Sequence, residues 1–271
     1  MSLRERYGPW AVVLGGSEGI GAAFARRLGA DDVNVVLVAR NPDPLRATAD
    51  EVRASGVEVR TLAVDLTADG AIDEIAAATD DVEVGLVIYN AGAVHAGDEF
   101  LDRPVNFALD LVRLNCAGPV QVSHHFGSQM AERGRGGLLF VGSMSGVCGA
   151  ARTVAYAASK AFVQVWAEGL WAELGPRGVD VLALVAGATR TPAMARSGAL
   201  VDRFDPMEPD DVASEGLEHL GDGPVWVPGP IRGFFDQLRQ MPRDEAVNTM
   251  TAGGRMIWGL DDQDASAWPN S

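Results

Sequence analysis

The sequence predicts a doubly wound α/β fold, a parallel sheet with helices on both faces, and three observations carry it. Short apolar runs alternate with stretches of helical spacing along most of the chain. The runs are continuous rather than alternating, as strands buried on both faces require. The first run ends in a glycine-rich turn that opens onto a helix, the arrangement from which such sheets begin.

Trp10–Leu14 reads as the first strand, followed by Gly15-Gly16-Ser17-Glu18-Gly19-Ile20-Gly21. From 20 to 28 the apolar residues recur at helical spacing, with Arg26 and Arg27 facing outward. The β-branched run 33–39 reads as the second strand. A polar helix at 44–54, a strand at 57–64, a helix at 68–79 and a strand at Val84–Tyr89 follow. Residues 107–133 read as two helical stretches broken near Gly118-Pro119. Next come a strand at 138–141, a long helix at Val154–Leu174 and a strand at 179–185.

Past Gly187 the rhythm loosens. Residues 189–208, rich in Arg, Pro, Met and Gly, read as a loop with short helical pieces. A helix at 209–220 and a strand at 225–227 finish the sheet. The remainder is weakly patterned, and 261–271 is expected to be a flexible tail. No repeat or linker divides the chain, so 1–271 reads as one domain.

Composition narrows the function. With 47% hydrophobic residues a sizeable core is available, and a net charge of -15 opposes binding to nucleic acid or anionic membrane. Two cysteines and four scattered histidines offer neither a disulfide framework nor metal-ligand spacing. The opening Met1-Ser2-Leu3-Arg4-Glu5-Arg6 is not apolar, and no run reaches membrane-spanning length, so a cytoplasmic protein is expected.

Two motifs carry chemistry. Gly15, Gly19 and Gly21 lie between the first strand and first helix, where the backbone can turn sharply and approach a pyrophosphate stabilised by the helix N-terminus. Tyr156 and Lys160 stand four apart on a helix, hence on one face. An ammonium near a phenol favours the phenolate and brings an ordinarily high pKa toward the working range. Lys160 is the only lysine among 22 basic residues, and Tyr156 is one of three tyrosines.

With Asp65-Leu66, Asn90-Ala91-Gly92, Asn115 and Ser143 falling in order between them, these motifs make the chain resemble the short-chain dehydrogenase/reductase family from Trp10 to Thr191. The resemblance implies a Rossmann-type fold and interconversion of a ketone or aldehyde with an alcohol. It implies Tyr156 as general acid/base, Ser143 as hydrogen-bond donor to the reacting oxygen, and Lys160 as ribose ligand that also lowers the tyrosine pKa. Asn115 is implied to hold a water linking Lys160 to solvent. Cofactor contacts are implied for Gly15, Ser17, Gly19, Ile20, Gly21, Asp65, Leu66, Asn90, Ala91, Gly92, Tyr156, Lys160, Gly187, Thr189 and Thr191. Leu14, Tyr89 and Ala186 stand where the family usually has Thr, Asn and Pro; loss of that proline is expected to loosen the backbone beside the nicotinamide.

Cofactor choice rests on the end of the second strand. An NAD site needs a carboxylate there, whereas this chain has Ala39-Arg40, and arginine pairs with a 2′-phosphate. NADP(H) is therefore expected over NAD(H), with Glu18 in the glycine turn opposing that choice. Met144, Val147, Cys148, Thr153 and Met194 are expected to border the substrate, and an apolar pocket of this kind suits a hydrophobic ketone or alcohol. His95, just after Asn90-Ala91-Gly92, reads as a surface-loop histidine, with a place at the entrance as the other reading. The helices at 107–133 and 154–174 are where relatives pair, so a homodimer or homotetramer is expected. Two other readings use the same residues: an NADP(H)-binding redox sensor without turnover, and an epimerase or dehydratase that retains its cofactor. The first would have no need of Ser143, Tyr156 and Lys160, and the second needs a larger C-terminal domain than 188–271 provides.

Overall fold

The computed structural model describes residues 1–93 and 97–260. A short helix α1 (Leu3–Tyr7), closed by a capping box between Ser2 and Glu5, precedes β1 (Trp10–Leu14), every residue of which is buried. Then follow α2 (Gly19–Ala30), β2 (Asn34–Ala39), α3 (Pro42–Arg53), β3 (Val59–Ala63), α4 (Ala71–Ala77) and β4 (Val84–Tyr89). The second half runs α5 (Val105–Val112), α6 (Gly118–Arg133), β5 (Gly136–Ser143), α7 (Val154–Leu174) and β6 (Val179–Ala186). It ends with α8 (Pro192–Arg196), α9 (Pro209–Glu218), β7 (Val225–Trp226), α10 (Gly229–Gln240) and α11 (Arg243–Ile257).

All seven strands are parallel, in the order β3-β2-β1-β4-β5-β6-β7. The order reverses between β1 and β4, and the crevice beyond the carboxyl ends of those strands is where such sheets take ligands. One core cluster, with Val13, Phe24, Leu37 and Leu184, lies under α2, α3 and α9. A second, with Val12, Val87, Phe126 and Phe140, lies under α4, α6 and α7. Each fully buried Val, Leu or Phe contributes about 2 kcal/mol relative to exposure, and this double layer fixes the strand ends.

Three features differ from the sequence reading. No helix break occurs at Gly118-Pro119; α5 and α6 run into each other through a π-helical turn at Arg113–Ala117. Proline at the second position of α6 needs no amide partner from a regular turn, so the widened spacing absorbs it. The weakly patterned C-terminal region forms two helices, α10 and α11, over a third cluster containing Met144, Cys148, Val185, Phe235 and Leu238. Ala186 is paired in register with Ser143, so β6 stays in the ladder to its end. Alanine keeps the amide hydrogen that proline lacks, and the pairing runs on through the position beside which a looser backbone is expected. The tail 261–271 and His95 lie outside the described residues.

Candidate active site

The glycine turn begins where β1 ends. Gly15 has φ +81°, and a Cβ there would lie 2.7 Å from the Ala91 amide nitrogen, so the turn and the Asn90-Ala91-Gly92 segment can meet only through glycine. Asn90 locks them together: its amide donates to the Leu14 carbonyl at 2.9 Å, and its side chain donates to the Gly15 carbonyl at 2.9 Å. The turn is tied outward as well, since the Gly15 and Gly16 amides donate to Val38 O and Thr48 Oγ1 donates to Ser17 O at 2.9 Å.

These residues fit a dinucleotide. Glu18, at the N-cap of α2, makes no side-chain capping bond, which leaves the amides of the first helical turn, Ile20 and Gly21 included, for an anion. Arg40 is exposed at the end of β2 and enters no hydrogen bond or ion pair among the described residues. Asp65, beyond β3, accepts from the amide and hydroxyl of Thr67, which hold its carboxyl below the usual range with a smaller contribution from Arg40. The neighbouring Leu66 is buried.

Across the switch point stand the expected reacting groups. Ser143 closes β5, and Tyr156 and Lys160 lie one turn apart on α7. The two elements are pressed together at Gly146, where a Cβ would lie 2.7 Å from the Lys160 carbonyl carbon. Ser143 is hydrogen-bonded to the Tyr156 phenol. Lys160 is buried, and its ammonium donates to Val141 O at 2.8 Å, 5.9 Å from the centre of the Tyr156 ring. Burial raises the phenol pKa while the Ser143 hydrogen bond lowers it; burial also pushes the Lys160 ammonium down to about 8, with Cys116 opposing. The ammonium is turned to the strand at Val141 O, and Ser143 is the neighbour that draws the phenol down.

Asn115 reaches the same place from the π-helical turn. Its side-chain amide donates to Ser159 Oγ at 3.0 Å, and Ser159 Oγ donates to the Tyr156 carbonyl at 2.8 Å. Its Oδ1 is buried without a hydrogen-bond partner among the described residues, on the side of Gly92 that also meets the Lys160 ammonium. An orphaned acceptor next to a buried cation fits a bound water. Tyr89 builds this turn: its hydroxyl donates to Leu114 O at 2.5 Å, the carbonyl released where helical spacing widens. Gly118 leaves room for that hydroxyl. The residue that departs from the family pattern in the sequence is therefore the one that supports Asn115. Only its unusual identity marked it beforehand.

Segments after β6 cover the crevice. Thr189 is buried, bonds Gly187 O through its hydroxyl and pairs with Met207 by an isolated bridge. Thr191 caps α8 by accepting from the Met194 amide at 3.2 Å and packs against Gly19. Of the residues expected at the substrate, Val147, Thr153 and Met194 are partly exposed, whereas Met144 and Cys148 pack into the core cluster beneath α10 and α11. Those helices form a roof that sequence reasoning missed. Ala151 N donates to Thr251 Oγ1 at 3.0 Å, Arg243 to Val147 O at 3.1 Å and Leu200 N to Ile257 O at 2.7 Å. A Cβ on Gly97 would lie 2.6 Å from Trp258 Cγ, so the indole seats directly on the loop after β4. Among the described residues there is no cluster of metal ligands and no helix long and apolar enough to cross a membrane.

Comparison with known proteins accords with this geometry. The short chain dehydrogenase family profile matches residues 9–200. A 7β-hydroxysteroid dehydrogenase of Clostridium sardiniense is 33% identical over 257 residues, 91% of this chain and 96% of that one. A solved 7β-hydroxysteroid dehydrogenase superposes with a TM-score of 0.85 at 28% identity, covering 92% of this chain and 99% of the other. A short-chain dehydrogenase from Sphingobium yanoikuyae in complex with NADPH gives 0.77 at 28% identity, covering 97% and 98%. With its parallel sheet, its glycine turn at the switch point and a family match over most of its length, the chain belongs to the short-chain dehydrogenases/reductases and is an oxidoreductase acting on CH–OH and C=O groups.

Proposed function

We propose that the protein is an NADP(H)-dependent reductase or dehydrogenase of a bulky hydrophobic ketone or alcohol, with Tyr156 as general acid/base. The observation that carries this is the convergence of Ser143, Tyr156, Lys160 and Asn115 at the carboxyl end of the sheet, opposite the glycine turn. The nicotinamide supplies or accepts hydride when bound. The protein's part is the proton and the charge. In the reductive direction the Tyr156 hydroxyl gives its proton to the carbonyl oxygen, and Ser143 donates a second hydrogen bond to the same oxygen. A phenol raised by burial stays protonated at neutral pH, the form that gives its proton to a carbonyl oxygen in reduction. Lys160 and the free acceptor of Asn115 hold the path by which the tyrosine is reprotonated.

NADP(H) over NAD(H) is supported by Arg40, a cation at the end of β2 that makes no hydrogen bond or ion pair among the described residues. A hydrophobic substrate is supported by the apolar side chains under the roof and by relatives that are 7β-hydroxysteroid dehydrogenases. We assign residues 1–271 to one domain in which 188–208 is the substrate loop. Leu109, Val112, Val165 and Trp171 are exposed on α5 and α7, and this apolar surface supports pairing of copies as a homodimer or homotetramer. The free cysteines Cys116 and Cys148 suit a reducing compartment, the cytoplasm.

The test is a fluorescence titration with NADPH and NADH, followed by a panel of hydrophobic ketones monitored at the cofactor absorbance. The expected result is tighter binding of NADPH and substrate-dependent oxidation. Binding without turnover across steroids, aromatic ketones and lipid-like ketones would replace the enzyme reading with that of a sensor, and sedimentation as a monomer would remove the oligomer.

A further inference from the structure

Glu18 is the one feature of the glycine turn that argues against a phosphorylated ribose. It lies at the rim the turn shares with the end of β2: Ser17 is bonded to Thr48 of α3, the Gly15 and Gly16 amides are bonded to Val38, and Arg40 stands just beyond. A bare carboxylate there would repel a 2′-phosphate. In the folded chain it is not bare. Arg196, at the end of α8 and 178 residues away in sequence, meets both carboxylate oxygens, Nη1 donating to Oε2 at 2.8 Å and Nη2 to Oε1. The same loop seats Thr191 against Gly19, where a Cβ would lie 3.0 Å from the threonine methyl. The loop thus rests on the turn at two adjacent residues, once by packing and once by a fork-to-fork ion pair.

We propose that Arg196 is a cofactor-selecting residue: by pairing with Glu18 it cancels the charge that would exclude the 2′-phosphate, so that NADP(H) binding depends on the loop being down on the turn. The inference rests on the NADP(H) reading above. Its energetic content is charge compensation rather than fold stability. Arg196 is largely exposed, and an exposed pair contributes little to folding. Placement near the phosphate makes the same pair matter to a dianionic group and hardly at all to a ribose hydroxyl.

The experiment is a set of titrations with NADPH and NADH on wild type, Arg196→Met, Glu18→Gln and the double variant. Arg196→Met is expected to weaken NADPH about tenfold and NADH less than about twofold, with the difference shrinking at high salt. In the double variant, which has lost both charges, NADPH affinity is expected to return to within about threefold of wild type. Equal loss of both nucleotides in Arg196→Met, or no recovery in the double variant, would reduce the pair to a mechanical tether and overturn the proposal. An unchanged Arg196→Met in a protein that binds NADPH removes this inference alone. A wild type that binds neither nucleotide removes the cofactor reading and this inference with it.

Discussion

At the β1–β4 end of the crevice the site is made mostly of backbone, turn amides and the Gly15 carbonyl, braced by the side chains of Asn90 and Thr48. Over β5 to β7 it is made of side chains and loops brought in from remote parts of the chain, with Thr251, Arg243 and Trp258 of the C-terminal region meeting Ala151, Val147 and Gly97. The first region binds a ligand of fixed shape, and glycine spacing suffices to specify it. The second must match a substrate, and its shape follows from packing among segments that are distant in sequence. A single change in the first region therefore shifts cofactor affinity, while a change in the second shifts selectivity.

The sharpest break between the regions is Tyr156→Phe. It is expected to lower turnover by about a thousandfold or more while leaving the NADPH dissociation constant within about twofold, because only the proton-transferring oxygen is lost. A variant that keeps near-normal kcat would falsify the assignment of the acid/base.

Lys160→Met separates function from folding. With the ammonium pushed down from 10.5 to about 8 by burial, its charge costs stability on the order of 3 kcal/mol in the cofactor-free protein. Below about pH 8 both folded and unfolded chains hold the proton and the full cost applies. Between 8 and 10.5 the unfolded chain holds a proton the folded one has released, so wild-type stability gains with rising pH. The methionine variant is expected to be inactive yet more stable at pH 7, with an advantage that declines through that window. Denaturant melts at pH 7 and 10 check this, and a less stable variant at pH 7 would show that the Val141 hydrogen bond outweighs desolvation.

Arg40→Ala probes the nucleotide end alone. NADPH is expected to weaken about thirtyfold and NADH less than about twofold. Parallel losses would place the phosphate elsewhere. Trp258→Ala probes the roof alone: kcat/KM for the bulkiest ketone turned over is expected to fall about tenfold relative to a small one, with NADPH affinity unchanged. A uniform change across the panel would mean that the indole only braces the loop after β4.

Much of this was legible in the residues. The apolar runs marked the central strands, since a strand buried on both faces must be continuously apolar, whereas β3, at the sheet edge, is only partly buried and carries Arg60 and Thr61. Gly15, Asn90, Asn115, Ser143, Tyr156 and Lys160 stood at recognisable spacings because each is held by an element close to it in sequence. The π-helical turn was not legible: a Gly-Pro pair reads as a break, and only the Tyr89 hydroxyl arriving from β4 makes a widened turn the better solution. Nor was the roof, whose helices pack on Met144, Val185 and Val227, residues far from them in sequence or on other elements.

By itself, then, the sequence determined the doubly wound sheet, the glycine turn and the order of the polar groups along the strand ends. Those depend on local geometry and on the two-sided burial of strands, both of which a linear pattern records. Tertiary structure alone decided that the Lys160 ammonium turns to Val141, that Asn115 keeps a free acceptor, that Arg196 answers Glu18 and that Trp258 closes on Gly97. Each of these is a meeting of groups far apart in the chain, and the charge, burial and contact that give them their chemistry exist only once the core has brought them together.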